Sequence, residues 1–369
     1  RERAVEVLGG ELRGFGPTLA SEQLQSRHGI DVSRETVRKW MVEEGLWKSR
    51  RSRAQHREWR ERRACVGELV QMDTSEHDWF EGRGPKAVLI TMIDDATSRV
   101  FMRFYPSDTS AANREMVGEY IRRHGRPRAL YTDKASHFRD NRPLDVEDEL
   151  EGKRARTQLG RALEELEVVH IAAHSPQAKG RVERSFGTCQ DRLVKLMRLE
   201  GIADIESANA YLVEHFIPEW NRRFTREPRE VADAHRSRQG FDLQAILSHQ
   251  EYRSVGNDYT VQYRKARYQI LEESVRGGLR GSRVTVEDRL DGTIRLRWRG
   301  GYLKHRALPA AATNRAGAAV GLRPPSAPAR KPRTRREPTG WKPGPDHPWR
   351  KTYPRTLLPC AKQDIPTLR

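Results

Sequence analysis

The chain has 369 residues, with 69 Lys+Arg against 51 Asp+Glu and a net charge of +18; a chain of that length divides into two or three domains, and so large a basic excess points to a polyanionic partner, nucleic acid first. No apolar run approaches the ~20 residues that span a bilayer, and no N-terminal signal peptide is visible, so no membrane partner is expected. Cys65, Cys189 and Cys360 are far apart and odd in number, which excludes a disulfide framework and a structural zinc module and makes a reducing cytoplasm the default compartment.

The sequence opens on Arg1 rather than Met, and it reads as a fragment with something N-terminal missing. Residues 1–47 read as helical. The stretch Thr18 to Leu24 starts a helix that ends near Gly29. Ser33 can then N-cap a second helix, because its hydroxyl can take up a free backbone N–H. That helix carries Val37, Trp40 and Met41 on its apolar face and leaves Arg34, Arg38 and Lys39 outside. Helix, short turn and basic helix is the helix-turn-helix pattern. An ordinary helical hairpin is the plainer reading, and the basic surroundings favour the first. Residues 48–66 form a basic linker. Eight of the seventeen residues 48–64 are Lys or Arg, Arg50, Arg51, Arg53 and Arg57 among them. Such a run repels itself in water and suits a path along phosphates.

Residues 67–203 read as one α/β domain. Val70 and Met72 alternate around a first strand that leads to Asp73. Lys86 to Ile93 is a nearly continuous apolar run, hence a strand buried on both faces. Arg99 to Tyr105 is a third strand, entered through the turn Asp94 to Ser98. A helix over 110–124 follows, then a short strand, Arg128 to Thr132, that leads into Asp133. Residues 145–151 hold five acids and read as part of an exposed insertion. Leu159 to Leu166 is a helix, Val168 to Ala172 a fifth strand, and Lys179 begins a long helix. Three strands, helix, strand, helix, strand, helix is the order of RNase H-like folds with a mixed sheet. Residues 204–251 are expected to be a helical connector. Residues 252–308 alternate with period two and carry an Asp291-Gly292 turn, which suggests a small β-barrel. Residues 309–369 are Pro-rich, with 13 Lys+Arg against 3 Asp+Glu, and are expected to be a disordered tail.

Transfer of a phosphodiester needs a nucleophilic oxygen and a stabilised leaving alkoxide, and two Mg²⁺ ions about 3.5–4 Å apart can supply both. Mg²⁺ takes oxygen ligands, and clustered carboxylates repel one another unless cations lie between them. Asp73 follows the first strand and Asp133 the fourth, which are neighbours in an RNase H-like sheet. Glu183 sits near the start of the last helix, which can pack across that sheet end. Asp94 and Asp95 are the competitors, although Asp in a turn commonly has a local backbone role. His137, His170 and His174 fit no standard ligand spacing, and Trp79 with Phe80 reads as packing rather than as a stacking platform for bases.

The segments Gln71-Met72-Asp73-Thr74-Ser75 and His77-Asp78-Trp79-Phe80-Glu81-Gly82 resemble the first catalytic block of ISNCY-type insertion-sequence transposases. Ile93 to Arg99, Tyr131-Thr132-Asp133-Lys134 and, most specifically, Ser175 to Arg184 continuing to Gln190-Asp191-Arg192-Leu193 extend the resemblance. It runs from about Gly14 to the Pro-rich tail. It implies a DDE transposase related to retroviral integrases, with Asp73, Asp133 and Glu183 as the triad and Mg²⁺ as the metal, Mn²⁺ substituting. Asp133 and Glu183 are 183 − 133 = 50 residues apart, more than in the commonest integrase pattern, and the acidic insertion accounts for the excess. Lys179 and Arg181 read as phosphate contacts near the scissile bond, and Arg184 as either that or a salt bridge within the helix. The implied activity is binding of element ends, hydrolysis that frees a 3′-OH, and transfer of that strand to target DNA. The implied partners are double-stranded DNA, as ends and as target, and further copies in a homo-dimer or larger synaptic multimer. The alternatives are a transposase-derived DNA-binding protein without transposition activity and a plain RNase H-like nuclease; the basic N-terminal region disfavours the second.

Overall fold

Three helices come first in the computed structural model: α1 (Glu2–Gly9), α2 (Pro17–His28) and α3 (Arg34–Glu43). The described residues are 1–48, 61–132, 157–172 and 180–309, with backbone alone for 180–184. Gly29 ends α2 in the left-handed conformation that glycine adopts without penalty, φ 63°. Ser33 caps α3, its Oγ accepting from the Thr36 N–H at 3.1 Å. Val37 and Met41 are buried against Leu8, Leu19 and Leu24, as the apolar spacing of α3 requires. Arg34 and Lys39 stay exposed, while Arg38 pairs with Glu35 at 2.6 Å.

A strand buried on both faces needs hydrogen-bonded neighbours on both edges. Every residue of β2 (Ala87–Asp94) is buried, between β1 (Val70–His77) and β3 (Val100–Tyr105) and antiparallel to both. After α4 (Ser110–His124), β4 (Ala129–Thr132) joins the other edge of β1 in parallel. After α5 (Gln158–Glu165), β5 (Val169–Ala172) adds parallel to β4. The resulting mixed sheet has the order β3-β2-β1-β4-β5. One face carries Val70, Met72, Ile90 and Met92 onto Met116 and Ile121 of α4 and Leu159 of α5. The other carries Leu89, Ile93 and Phe104 onto Phe186, Leu193 and Met197 of α6 (Gly180–Leu199). Trp79 and Phe80 lie inside this second core, in the packing role expected of them. Among the described residues no helix is long and apolar enough to cross a membrane.

The connector departs from the expected helix. Helix α7 (Ile205–Tyr211) runs through a π-helical turn, Leu212–Phe216, into α8 (Ile217–Phe224), and helical structure then stops. Residues 225–242 cross the core as an irregular strap, its backbone exchanging hydrogen bonds between Arg236 and Arg126 at 2.8 and 2.9 Å. Pro228 lacks an N–H and pushes its predecessor away from helical angles, and the strap's donors find partners in the sheet domain instead. The His235 ring seats on Gly67, where a Cβ would come within 2.4 Å of it and φ is 75°, so only glycine fits. A short α9 (Leu243–Ile246) follows, and the first strand of the C-terminal unit begins already at His249.

That unit contains β6 (His249–Ser254), β7 (Thr260–Tyr263), β8 (Ala266–Ile270), β9 (Arg283–Asp288), β10 (Ile294–Trp298), β11 (Gly301–Leu303) and β12 (His305–Leu308). They form two antiparallel sheets, β11-β10-β9-β6 and β12-β8-β7, around Val261, Ile270, Val284, Val286 and Leu296. Asp291-Gly292 makes the expected turn, Asp291 Oδ1 accepting from the Thr293 N–H at 2.9 Å. Glu287 is fully buried on β9 and accepts from Arg297 Nε at 2.8 Å, from Arg289 Nη2 at 3.1 Å and from the Tyr302 hydroxyl at 3.1 Å. The tail expected to be disordered lies outside the described residues from position 310 onward.

Candidate active site

Successive residues of a strand point to opposite faces of its sheet. Val70 and Met72 of β1 go to the α4 side, so Gln71, Asp73 and Ser75 share the face covered by α6. In the antiparallel register these three stand opposite Ile93, Thr91 and Leu89. A polar stripe thus runs through an otherwise apolar face, and each member is held. Gln71 Nε2 donates to Asp95 Oδ1 at 2.7 Å. Asp73 is half-buried, and its Oδ1 accepts from the Thr74 N–H at 3.1 Å. Ser75 Oγ accepts from Gln190 Nε2 of α6 at 3.1 Å. That last bond ties α6 to β1 at the point where the apolar core under the helix gives way to polar side chains.

The competitors Asp94 and Asp95 are both buried and engaged with backbone. Asp94 Oδ2 accepts from the Gly67 N–H at 2.8 Å, and its Oδ1 from the Thr97 N–H at 2.8 Å. Asp95 Oδ2 accepts from the Arg63 N–H at 2.9 Å, its other oxygen being taken by Gln71. These carboxylates fasten the chain entering β1 to the β2–β3 turn, the local role usual for Asp in turns. His170 is half-buried with Nε2 2.9 Å from Thr132 Oγ1, and burial pushes its pKa down, which favours the neutral ring.

Of the expected triad, Asp73 is described in full. Asp133 lies outside the described residues; Thr132, its chain neighbour, ends β4, which pairs with β1 through Val70↔Leu130 and Gln71↔Tyr131. Glu183 is on the first turn of α6, and its side chain lies outside the described residues, as does that of Arg181. Lys179, Arg50, Arg51, Arg53, Arg57, His137 and His174 also lie outside them. Among the described residues no group of three or more His, Cys, Asp or Glu side chains could hold a metal ion; the set includes one complete member of the expected triad. Sequence reasoning placed Gln71, Ser75 and Gln190 inside its motifs but gave none of them a role. The first two could have been found from the strand itself, since polar residues at i, i+2 and i+4 in a buried strand mark one polar line on one face.

No family model matches the chain. It is 40% identical over 309 residues to the putative transposase y4bF of Sinorhizobium fredii, an alignment covering 83% of this chain and 66% of that protein. It is 32% identical over 169 residues to the transposase for insertion sequence IS1202 of Streptococcus pneumoniae, covering 45% and 34% respectively. The chain is therefore a homologue of proteins named as transposases and spans about two thirds of the first and one third of the second. Among solved structures it is similar to the HTLV-2 integrase catalytic core domain in complex with magnesium, at 16% identity and TM-score 0.30, over 42% of this chain and 90% of that one. It is also similar to a chain of the simian T-cell lymphotropic virus intasome in complex with PP2A regulatory subunit B56 gamma, at 14% identity and TM-score 0.34, over 83% and 99%. These structural likenesses are too distant to carry an argument.

Proposed function

We propose that this homologue of insertion-sequence transposases is itself a DNA transposase, of the ISNCY type, acting through an RNase H-like core in which Asp73, Asp133 and Glu183 form the catalytic triad. The observation that carries the reading is the polar stripe of β1 under α6, with Asp73 at its centre. The parallel register Gln71↔Tyr131, carried two residues further on each strand, would set position 133 beside Asp73. Glu183 lies seven residues before Gln190, about two helical turns, and so on the same stripe of α6. Gln190 meets Ser75 at 3.1 Å, so α6 crosses β1 two residues from Asp73.

Carboxylates are the oxygen donors that Mg²⁺ requires, and Mn²⁺ accepts them as well, so these three residues would hold the metal. Bound there, the metal would supply Lewis-acid stabilisation of the phosphoryl oxygens and the leaving alkoxide. The chain itself contributes rigidity. Asp73 is fixed on a central strand, and the Gln190–Ser75 bond keeps the helix in register with it. In this reading α2 and α3 form a helix-turn-helix that reads the element ends through Arg34, Arg38 and Lys39. Two of the five N–H donors of Arg38 are engaged with Glu35, which leaves others for DNA. Lys179 and Arg181 contact phosphates near the scissile bond, the two C-terminal sheets make up a small barrel, and copies of the chain assemble on paired ends.

The test is strand transfer by the full chain, using DNA that carries the inverted repeats flanking its own reading frame and a supercoiled plasmid as target. Joined products should form with Mg²⁺, vanish with EDTA and return with Mn²⁺. Firm duplex binding with no metal-dependent joining would overturn the reading in favour of a DNA-binding protein without transposition activity.

The basic linker should carry much of the sequence-independent affinity. Each phosphate neutralised contributes about −0.9 to the slope of log affinity against log salt. Replacing Arg50, Arg51, Arg53 and Arg57 by Ala should flatten that slope by roughly 2–4 and weaken all duplexes alike. Replacing Arg34 and Arg38 should instead weaken element ends more than random DNA. Titrations on both DNAs at several salt concentrations separate the roles, and an unchanged slope in the linker variant would make that stretch a mere tether.

A further inference from the structure

Thr91 sits in the middle of β2 and is fully buried, with Leu89 and Ile93 beside it on the face that α6 covers. Its hydroxyl has no hydrogen-bond partner among the described residues. Two other hydroxyls of this sheet are engaged: Ser75 Oγ accepts from Gln190 Nε2 at 3.1 Å, and Thr132 Oγ1 lies 2.9 Å from His170 Nε2. A β-branched side chain suits a buried strand whatever its hydroxyl does, and that is the plain account of Thr91. Valine, however, would fill the same place without the desolvation that a buried, unbonded hydroxyl suffers.

The strand register supplies an acceptor. On β3 the residue opposite Thr91 is Met102, whose thioether is at best a weak acceptor. On β1 it is Asp73. Directly opposed residues of an antiparallel pair point to one face with Cβ atoms about 4.5–5.5 Å apart, close enough for a threonine hydroxyl to meet a carboxylate. Asp73 Oδ1 accepts from the Thr74 N–H at 3.1 Å, and a carboxylate has capacity for further hydrogen bonds on its two oxygens. Gln71, the next residue along on the diagonal, has its amide nitrogen committed to Asp95 at 2.7 Å. Nothing has to enter the core for Thr91 to reach Asp73, because side-chain rotation is sufficient. Carboxylates that hold a metal are themselves oriented by hydrogen bonds from the residues behind them.

We propose that Thr91 is a positioning residue for Asp73, its hydroxyl donating to the carboxylate when that carboxylate holds a divalent metal ion, an inference that rests on the reading of Asp73 as a metal ligand. The bond fixes the turn of the carboxylate about its own axis, and so which oxygen faces the ion. It forms away from solvent, where a hydrogen bond to a charged acceptor is strong.

The test is Mn²⁺ binding by the full chain without DNA, read from the loss of the free-ion signal in electron paramagnetic resonance. The site followed is the one that Asp73→Asn removes. Thr91→Val should weaken that site about tenfold, the scale on which hydrogen-bonding partners of metal ligands act. Thr91→Ser, which keeps the hydroxyl, should bind nearly as the parent does. The urea midpoint of Thr91→Val, measured without metal, should equal or exceed the parent's, because an unbonded hydroxyl has left an apolar site. An unchanged affinity in Thr91→Val, a Thr91→Ser variant as weak as Thr91→Val, a lowered midpoint, or Mn²⁺ binding that Asp73→Asn does not disturb would each overturn the proposal. The titration needs no strand transfer. If it behaves as expected while metal-dependent joining fails, the transposase reading falls and the role of Thr91 stands; if joining succeeds and Thr91→Val binds Mn²⁺ like the parent, that role falls alone.

Discussion

Replacing Asp73 by Asn should lower strand transfer by at least ~10³-fold and leave affinity for duplex DNA unchanged or slightly raised. A catalytic metal supplies several kcal/mol of transition-state stabilisation, and each 1.36 kcal/mol is tenfold in rate. Loss of a ligand forfeits much of that. The fold should tolerate the change, because Asn keeps an oxygen that can accept from the Thr74 N–H, the bond that Asp73 Oδ1 makes at 3.1 Å. Removing a negative charge near DNA can only favour phosphate binding. Asp95→Asn offers the contrast. Its carboxylate is buried and accepts from both Gln71 and the Arg63 backbone, so its loss should cost about 1–3 kcal/mol of stability. Strand transfer and urea unfolding measured on both variants separate chemistry from architecture. Asp73→Asn with activity within about tenfold of the parent would sink the triad assignment.

Glu287→Ala should be the most destabilising single change in the C-terminal unit. The carboxylate is fully buried, with Arg289 and Arg297 donating to it. Deleting one member of a buried ion network leaves the others desolvated and unpaired, at a cost of about 3–5 kcal/mol. Glu287→Gln should cost less, since an amide oxygen still accepts one of the three donors. Urea titrations followed by tryptophan emission would report the order, with Trp298 packed against this core. A Glu287→Ala variant that unfolds at the parent's midpoint would show that Tyr302 and solvent can satisfy both arginines.

What could be read in the sequence was local. The Ser33 cap, the Asp291-Gly292 turn and the buried β2 each depend on a few adjacent residues, and each stands where its residues call for it. The neighbouring positions of β1 and β4 followed from element order alone. The strap over 225–242 did not follow: Pro228 marks only where a helix breaks, and the deciding partners, Val66 and Arg126, are a hundred or more positions away. The same distance hid the Gln190–Ser75 bond, since nothing in a linear pattern says which buried donor meets which acceptor. Of the candidate site, the place of Asp73 on the first strand and the backbone role of Asp94 and Asp95 were legible, the latter from their place in a turn.

Glu22 of α2 accepts from Arg192 of α6 at 2.8 Å on both oxygens and pairs with Arg223 of α8 at 2.6 Å. Burial alone would raise its pKa, but the hydrogen bonds and charges of Arg192 and Arg223 outweigh that and hold the carboxyl below its usual range. A group with a lowered folded pKa stabilises above its unfolded value and loses that contribution as pH falls through the folded one. Around this clasp, Leu196 and Leu199 of α6 sit in the same apolar core as α1 to α3. Whatever path residues 49–60 take, the first three helices and α6 are parts of one solid piece. The angle between α3 and the polar stripe is then a property of that clasp and not of the intervening chain. Force applied to α3 arrives at α6 without slack, and acid is the condition that would introduce play between them.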